Sequence, residues 1–370
     1  MNIGLMVDTL AVGGAERQAI LCVSELRKLG HSADLIHYHP KVEYVQMLDS
    51  LRIKPIYVPA SNFPQRCVRL RRLFRERKYD VVHGFKMAAE VYAAVAGTWA
   101  GVSGRFGSFR SIYTLGPKHC LVHYAVDKFL DGWVVNSKVG AESMARKTRI
   151  ALNKILVLQN GICPEMFGNQ VSPSQAKARL GMAEDSILVT MVARLEPGKN
   201  HRMLIDAAAR VLKHAPQARF LVVGKGSMAR NLQDYSSELG VSEKVCFLGQ
   251  RSDVAEILAA TDISVSTTDF EGLPNVIIES MAAGKPIVCT NYKGYEEIMT
   301  HESNALISPC GNAEAFAQNV LRLINDDDYR RWLGSNASKY AWSRFSPETM
   351  GKNLEQIYLR FVSDHSDRRN

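Results

Sequence analysis

No stretch of this sequence reaches the ~18 uninterrupted apolar residues that a membrane-spanning helix requires. The longest apolar run, Met87 to Val102, is broken by Glu90 and diluted by Gly and Ala. A basic lead-in and a small-residue cleavage site are also missing, so Asn2-Ile-Gly-Leu-Met-Val7 reads as a first strand and not as a signal peptide. Cys-x-x-Cys pairs are absent. The seven cysteines are odd in number and stand mostly in apolar runs, so they read as buried reduced thiols of a cytosolic protein. There is no low-complexity tract and no short repeat. With 46% hydrophobic and 22% charged residues the chain is neither disordered nor fibrous. Its 370 residues exceed one ordinary core and suit two domains.

Positive charge is present in excess, but only in the first half. Residues 1–165 hold 23 Lys/Arg against 13 Asp/Glu, whereas residues 166–370 hold 23 against 24. Seven cations against Glu76 fall between Arg66 and Lys78, where Cys67, Leu70, Leu73 and Phe74 recur at helical spacing. This basic amphipathic helix is either an ordinary solvated face or an attraction for anionic lipid headgroups or an anionic acceptor. No nucleic-acid motif or aromatic platform accompanies it, so no nucleic-acid partner is expected.

Strand-like and helical patterns alternate along the chain. Strands are expected at 3–7, 33–38, 81–85, 105–109, 133–136 and 155–158, with helices such as Ala15–Leu29 between them. After a break containing Asn160-Gly161 and a loop-like stretch from Gly168-Asn169 to Ser172-Pro173-Ser174, the pattern restarts. The later strands are expected at 187–193, 220–223, 245–248, 263–266, 286–289 and 305–307. Helices are expected at 202–213, 228–239, 276–283, 313–325, 328–342 and from Pro347 to about Phe361. The alternation predicts an α/β chain of two doubly wound, Rossmann-like domains. They are expected at residues 1–165 and 166–346, facing across a cleft, with a C-terminal helix at 347–370. Ligands in such sheets bind at the carboxyl ends of strands.

The densest chemistry lies in Asp269-Phe-Glu271-Gly272-Leu273-Pro274-Asn275-Val-Ile-Ile-Glu279 through Gly284-Lys-Pro286, which leaves a strand and enters a helix. Gly272 permits a turn, and Pro274 stops the strand and presets the helix entry. The first helical amides suit phosphate. Glu279, a turn further in, suits the vicinal hydroxyls of a ribose, and Glu271 lies closer to whatever the phosphate carries. Upstream, Ala193-Arg194-Leu-Glu-Pro-Gly-Lys199 places two cations on one strand–helix loop, able to neutralise a diphosphate without a metal.

The two glutamates seven residues apart, with Gly272-Leu273-Pro274-Asn275 between them, resemble the Glu-x7-Glu motif of family 4 (group 1) glycosyltransferases. The resemblance runs through nearly the whole chain and is densest over 187–300. It implies the GT-B fold and assigns Arg194 and Lys199 to a nucleoside diphosphate, with Glu271 beside them as catalytic residues. Leu248 and Arg251 fall in the segment that reads the nucleobase. Asn291-Tyr-Lys293-Gly294-Tyr-Glu296-Glu297 is similar to the family's Gly-Gly-x-x-Glu loop, with Lys293 in place of one Gly. Val12-Gly13-Gly14-Ala15-Glu16-Arg17 is similar to its first-domain glycine loop, which puts Gly14 near the donor and Gly13 on the acceptor side. His83, and Arg110 in Gly107-Ser-Phe-Arg110-Ser111, end strands and are acceptor-side candidates. His83 reads alternatively as a packed structural histidine, and His119 and His123 read as structural.

What the resemblance implies is a retaining transfer of a sugar from a nucleoside diphosphate sugar, uridine favoured over guanosine, to an acceptor hydroxyl. The implied acceptor is a glycan or lipid-linked precursor of bacterial surface polysaccharide. The chain is expected to be cytoplasmic, with a peripheral site on the inner membrane face. No cofactor and no metal are expected. Alternatives are a nucleotide-sugar epimerase of similar architecture and a non-catalytic binding subunit. Val223-Gly224-Lys-Gly226-Ser-Met-Ala229 fits a dinucleotide fingerprint formally, but the acidic residue expected ~20 positions later is missing near Cys246. Asp326-Asp327-Asp328 contains an Asp-x-Asp pair, read as helix-start acids and not as a metal site.

Overall fold

The computed structural model describes residues 1–11, 13–110, 116–167 and 171–367. Val12, Ser111, Gly168 and Asn169 of the segments above lie outside the described residues. The chain forms two compact units, Met1–Gly161 with Phe345–Asn370, and Ile162–Arg344.

The sheet of the first unit comprises β1 (Asn2–Val7), β2 (Ser32–His37), β3 (Ile56–Tyr57), β4 (Val81–Phe85), β5 (Gly104–Phe109), β6 (Gly132–Val135) and β7 (Ile155–Val157). Its order is β3-β2-β1-β4-β5-β6-β7, and every pairing is parallel. The order in which successive strands are added therefore reverses between β1 and β4, the switch point where open α/β sheets take ligands. The connecting helices are α1 (Gly14–Lys28), α2 (Val45–Ser50), α3 (Phe63–Arg77), α4 (Met87–Ala100), α5 (Pro117–Asp127) and α6 (Lys138–Thr148). All five residues of β4 are buried, as expected for a parallel strand covered on both faces. In α3, Cys67, Leu70 and Phe74 are buried, so the basic amphipathic reading holds for this helix. Asn62 caps it and Pro64 stands in its first turn.

The second unit carries β8 (Ile187–Val192), β9 (Ala218–Val223), β10 (Val245–Gly249), β11 (Ile263–Ser266), β12 (Ile287–Thr290) and β13 (Leu306–Ser308), ordered β10-β9-β8-β11-β12-β13 and again parallel. Its helices are α7 (Pro173–Arg179), α8 (His201–Val211), α9 (Ala229–Glu238), α10 (Val254–Ala260), α11 (Asn275–Ala282), α12 (Ala313–Asn325) and α13 (Asp327–Phe345). The core includes Val189, Leu204, Phe220, Val265, Phe316 and Leu333. The final helix, α14 (Pro347–Asp367), belongs to the first unit. Its Leu354 and Tyr358 are fully buried there, and Glu355 pairs with His31 at 2.7 Å.

Several expectations shift. The first unit's leading segment runs to Gly161, which the Gln18 amide holds at both ends: Gln18 Nε2 donates to its carbonyl and Gln18 Oε1 accepts from its N–H, each at 2.8 Å. Ser172-Pro173-Ser174 is not loop. Ser172 caps α7 through a reciprocal capping box with Gln175, and Pro173 occupies the first turn. Cysteines 22, 67, 163 and 289 are buried, but Cys310 is exposed. Among the described residues no helix is long and apolar enough to cross a membrane.

Candidate functional site

The second unit builds its site at the carboxyl ends of β8 and β11. Beyond β8 the chain runs alongside the turn that follows β9. Ala193 N–H donates to the Val223 carbonyl at 2.9 Å, Leu195 N–H to Lys225 at 3.0 Å, and Met228 N–H to Leu195 at 3.0 Å. This approach requires glycine. A Cβ on Gly224 would stand 1.9 Å from the Ala193 oxygen, and one on Gly226 2.2 Å from the Leu195 oxygen. Gly224-Lys-Gly226 is therefore the seat of the Arg194 loop, and its likeness to a dinucleotide fingerprint is incidental. Glu196 is held on the same turn, accepting from Ser227 N–H at 3.2 Å and Ser227 Oγ at 2.8 Å. Between these anchors Arg194 is exposed, and among the described residues it makes no ion pair.

Lys199 follows in a short 3-10 turn, Pro197–Lys199. Its ammonium pairs with the Glu271 carboxylate, both side chains being largely buried. Burial first, then the charge of Arg194, pushes the Lys199 ammonium down to about 8. The adjacent carboxylate favours its protonated form, so the group carries its charge at neutral pH. A clasp of hydrogen bonds fixes this pairing. Thr267 Oγ1 donates to the carbonyls of Lys199 (3.1 Å) and Asn200 (2.9 Å), and Thr268 Oγ1 donates to Gly198 at 3.0 Å. Asp269 N–H donates to the Gly198 carbonyl at 3.1 Å. Asn200, at φ 50°, caps α8 and donates to Asp269 Oδ1 at 3.1 Å. Asn is among the residues that tolerate this left-handed backbone. Thr267, Thr268 and Asn200 were not singled out in the sequence. The hydroxyls just past β11 were the available signal. His201 beside them is buried with neither ring nitrogen hydrogen-bonded among the described residues. Burial, then the charge of Lys199, lowers it to about 4, so it is neutral.

Gly272, Leu273 and Pro274 close the link from β11 to α11, with Leu273 buried. Pro274 stands at the helix cap in extended conformation, and its own side chain, lacking an acceptor, makes no capping hydrogen bond. The first helical bonds, from Ile277 and Ile278 N–H, run back to the Pro274 carbonyl. Asn275 opens α11, and Glu279, a turn further, is buried. Lys293 needs no glycine, since its backbone bridges in parallel with Phe270. The left-handed position is Gly294, at φ 97°. On the edge strand, a register shift between Phe247 and Gly249 puts Leu248 in a bulge. Exposed Arg251 pairs with Asp253 through two contacts, at 2.8 and 2.5 Å.

In the first unit the candidates separate. His83 is fully buried, with Nδ1 2.7 Å from the Tyr358 hydroxyl and Nε2 2.9 Å from Ser108 Oγ. Burial, then Arg110, depresses it well below its ordinary value. Both nitrogens are thus engaged by neighbouring side chains, the surroundings of a packed histidine. Arg110 donates to Asn160 Oδ1 at 2.6 Å and stacks over Phe85. His123 is buried against Glu90 at 2.9 Å. Gly13 caps α1 in extended backbone, exchanging hydrogen bonds with the Tyr44 hydroxyl at 3.0 and 2.8 Å. A Cβ there would stand 2.3 Å from Glu16 Oε2, so the bare glycine makes room for a carboxylate of the same loop. Gly14 opens α1 and is exposed. Glu16 is 1% exposed and pairs with Lys86. Lys86 links β4 to α4 at φ 72°, ψ 159°, a conformation that costs a non-glycine residue about 1–3 kcal/mol.

Among the described residues, no group of three His, Cys, Asp or Glu is placed to hold a metal ion. In Asp326-Asp327-Asp328 the first acid caps α13 by accepting from Tyr329 N–H at 2.8 Å, and the others pair with Arg330 and Arg331.

Two families match the chain in tandem. Glycosyltransferase Family 4 covers residues 12–166, and Glycosyl transferases group 1 covers residues 174–340. The chain is 25% identical over 358 residues to the N-acetylgalactosamine-N,N'-diacetylbacillosaminyl-diphospho-undecaprenol 4-alpha-N-acetylgalactosaminyltransferase of Campylobacter jejuni, covering 92% of this chain and 94% of that one. It is 24% identical to the UDP-Gal:alpha-D-GlcNAc-diphosphoundecaprenol alpha-1,3-galactosyltransferase of Escherichia coli, covering 80% and 79%. Its fold is that of Anabaena HepE, whose structure was solved in complex with UDP-glucose: TM-score 0.82 at 22% identity, over 96% of this chain and 99% of that one.

Proposed function

The chain is a glycosyltransferase of the GT-B fold, related to the group 1 and family 4 glycosyltransferases, and we propose that it moves a sugar from a uridine diphosphate sugar to a lipid-linked glycan with retention of the anomeric configuration. The observation that carries the donor assignment is the clasp that ties the Arg194–Lys199 loop to Glu271. It sets two cations, one exposed and one paired, at strand ends beside a helix start. As the sugar leaves, negative charge grows on the diphosphate. Arg194, Lys199 and the first amides of α11 stabilise it without moving. Glu271 takes a sugar hydroxyl and Glu279 the ribose. Leu248 and Arg251 line the base side, and Gly14 is the first unit's candidate for the donor.

Residues 1–165 take the acceptor in this reading and residues 166–346 the donor. The E. coli and C. jejuni relatives are named for diphosphoundecaprenol-linked acceptors, which supports a lipid-linked substrate. The exposed cations of α3, together with exposed Trp99, Leu121, Tyr124 and Phe129 of the same unit, support docking on an anionic membrane surface.

The test is transfer from a panel of UDP- and GDP-hexoses to a short-chain prenyl-diphosphate-linked N-acetylhexosamine, with EDTA present. The expected product gains one hexose by mass and keeps the donor's anomeric configuration by NMR. Hydrolysis or epimerisation without transfer would refute the assignment. Flotation with vesicles that shows no preference for anionic over neutral lipid would remove the membrane component.

A further inference from the structure

The connection from β4 to α4 is one residue long. β4 ends at Phe85, α4 begins at Met87, and only Lys86 lies between. The turn is tight enough that a Cβ on Gly84 would stand 2.3 Å from the Ala89 carbonyl carbon and 2.4 Å from Glu90 N. Lys86 absorbs the change of direction at φ 72°, ψ 159°, a backbone that glycine adopts freely and a lysine does not. A strained strand–turn–helix elbow lifts its central side chain clear of the end of a sheet. Here the elbow stands at the switch point between β1 and β4, and the residue on it is a cation.

Glu16, from the loop after β1, meets Lys86 from the other side of the switch point. One carboxylate oxygen pairs with the ammonium, and Oε2 is buried without a partner among the described residues. The Lys86 side chain remains 45% exposed and that of Glu16 only 2%. Glu16 uses one of the three ammonium donors. The arrangement is a half-exposed cation, fixed from below, on strained backbone.

We propose that Lys86, with Glu16 as its positioning residue, binds an anionic group of the acceptor, a phosphate or diphosphate ester. This rests on the reading that the first unit takes the acceptor. Strain at this elbow serves placement of a charge at the switch point; a counterion for Glu16 alone would not require it.

The experiment compares two acceptors, a short-chain prenyl-diphosphate-linked N-acetylhexosamine and the octyl glycoside of the same sugar, and measures UDP binding in parallel. Lys86→Met should raise the acceptor KM for the diphosphate-linked substrate at least tenfold, leave that for the octyl glycoside within twofold, and leave the Kd for UDP unchanged. The double variant Glu16→Gln with Lys86→Met removes both charges, so no buried carboxylate is left alone. It should show the same loss. An acceptor KM restored to wild type in the double variant makes the pair structural and overturns the proposal, as does an equal effect on both acceptors. Wild-type enzyme that transfers to acceptors while Lys86→Met is unaffected refutes this proposal alone. Wild-type enzyme that binds no UDP and transfers to neither acceptor refutes the functional reading as well.

Discussion

Lys199 allows the donor assignment to be tested by pH alone. Its ammonium is pushed to about 8 from 10.5, by burial and then by Arg194. A neutral amine offers a diphosphate no charge attraction, so only the protonated form should bind the donor well. The apparent Kd should then double near pH 8 and rise about tenfold by pH 9, which is ~1.4 kcal/mol. The phosphates of UDP are essentially fully charged above ~pH 7, so they add little slope in this window. Isothermal titration of UDP from pH 7 to 9.5, with EDTA present, measures the effect. Lys199→Arg supplies the control, because a guanidinium stays charged throughout and its curve should be flat. The sign for stability is the reverse. Between about 8 and 10.5 the unfolded chain holds a proton that the free folded protein has lost, so this group's contribution to stability rises with pH across that window. A flat wild-type binding curve, or a Lys199→Arg curve that falls equally, would refute the placement of Lys199 on the diphosphate.

Other consequences follow from the same geometry. Arg194→Ala removes an exposed side chain, so the thermal midpoint should move by less than ~2 °C while kcat/KM falls about 100-fold or more; near-normal turnover would contradict its role. Gly226→Ala forces a methyl into the Leu195 backbone and should cost about 1–3 kcal/mol in urea unfolding. It should also weaken UDP binding by displacing the loop that carries Arg194, and unaltered binding would show that the seat is dispensable. Tyr358→Phe strips His83 Nδ1 of its partner and should cost about 1–3 kcal/mol of stability. It should leave kcat intact in the folded fraction, and a selective loss of kcat would return His83 to the active site.

The candidate donor segment was legible because its chemistry is local. A strand end, a turn and a helix start lie within Ser266 to Glu279, and the two glutamates are set by that short geometry. The parallel strands were legible because burial on both faces leaves continuous apolar runs. β3 has only two residues, Ile56 and Tyr57, too few to show a period. α7 was hidden by Ser172-Pro173, although Ser-Pro-x-Gln is a start signal as well as a turn signal. Lys199 with Glu271 and Lys86 with Glu16 are joined across 72 and 70 residues. Nothing in local sequence announces such pairs. Gly224-Lys-Gly226 could be mistaken for a nucleotide loop because the same spacing serves any close backbone approach, here that of Leu195. His83 at a strand end looked exposed to ligand, and only the return of α14 with Tyr358 shows why it is not.

A metal-independent diphosphate site built on Arg194 and Lys199 can be tested by titrating wild-type and Arg194→Ala protein with UDP in EDTA. The wild type should show a single site and the variant one at least tenfold weaker. Failure of the wild type to bind UDP, or equal affinity in both proteins, would contradict it.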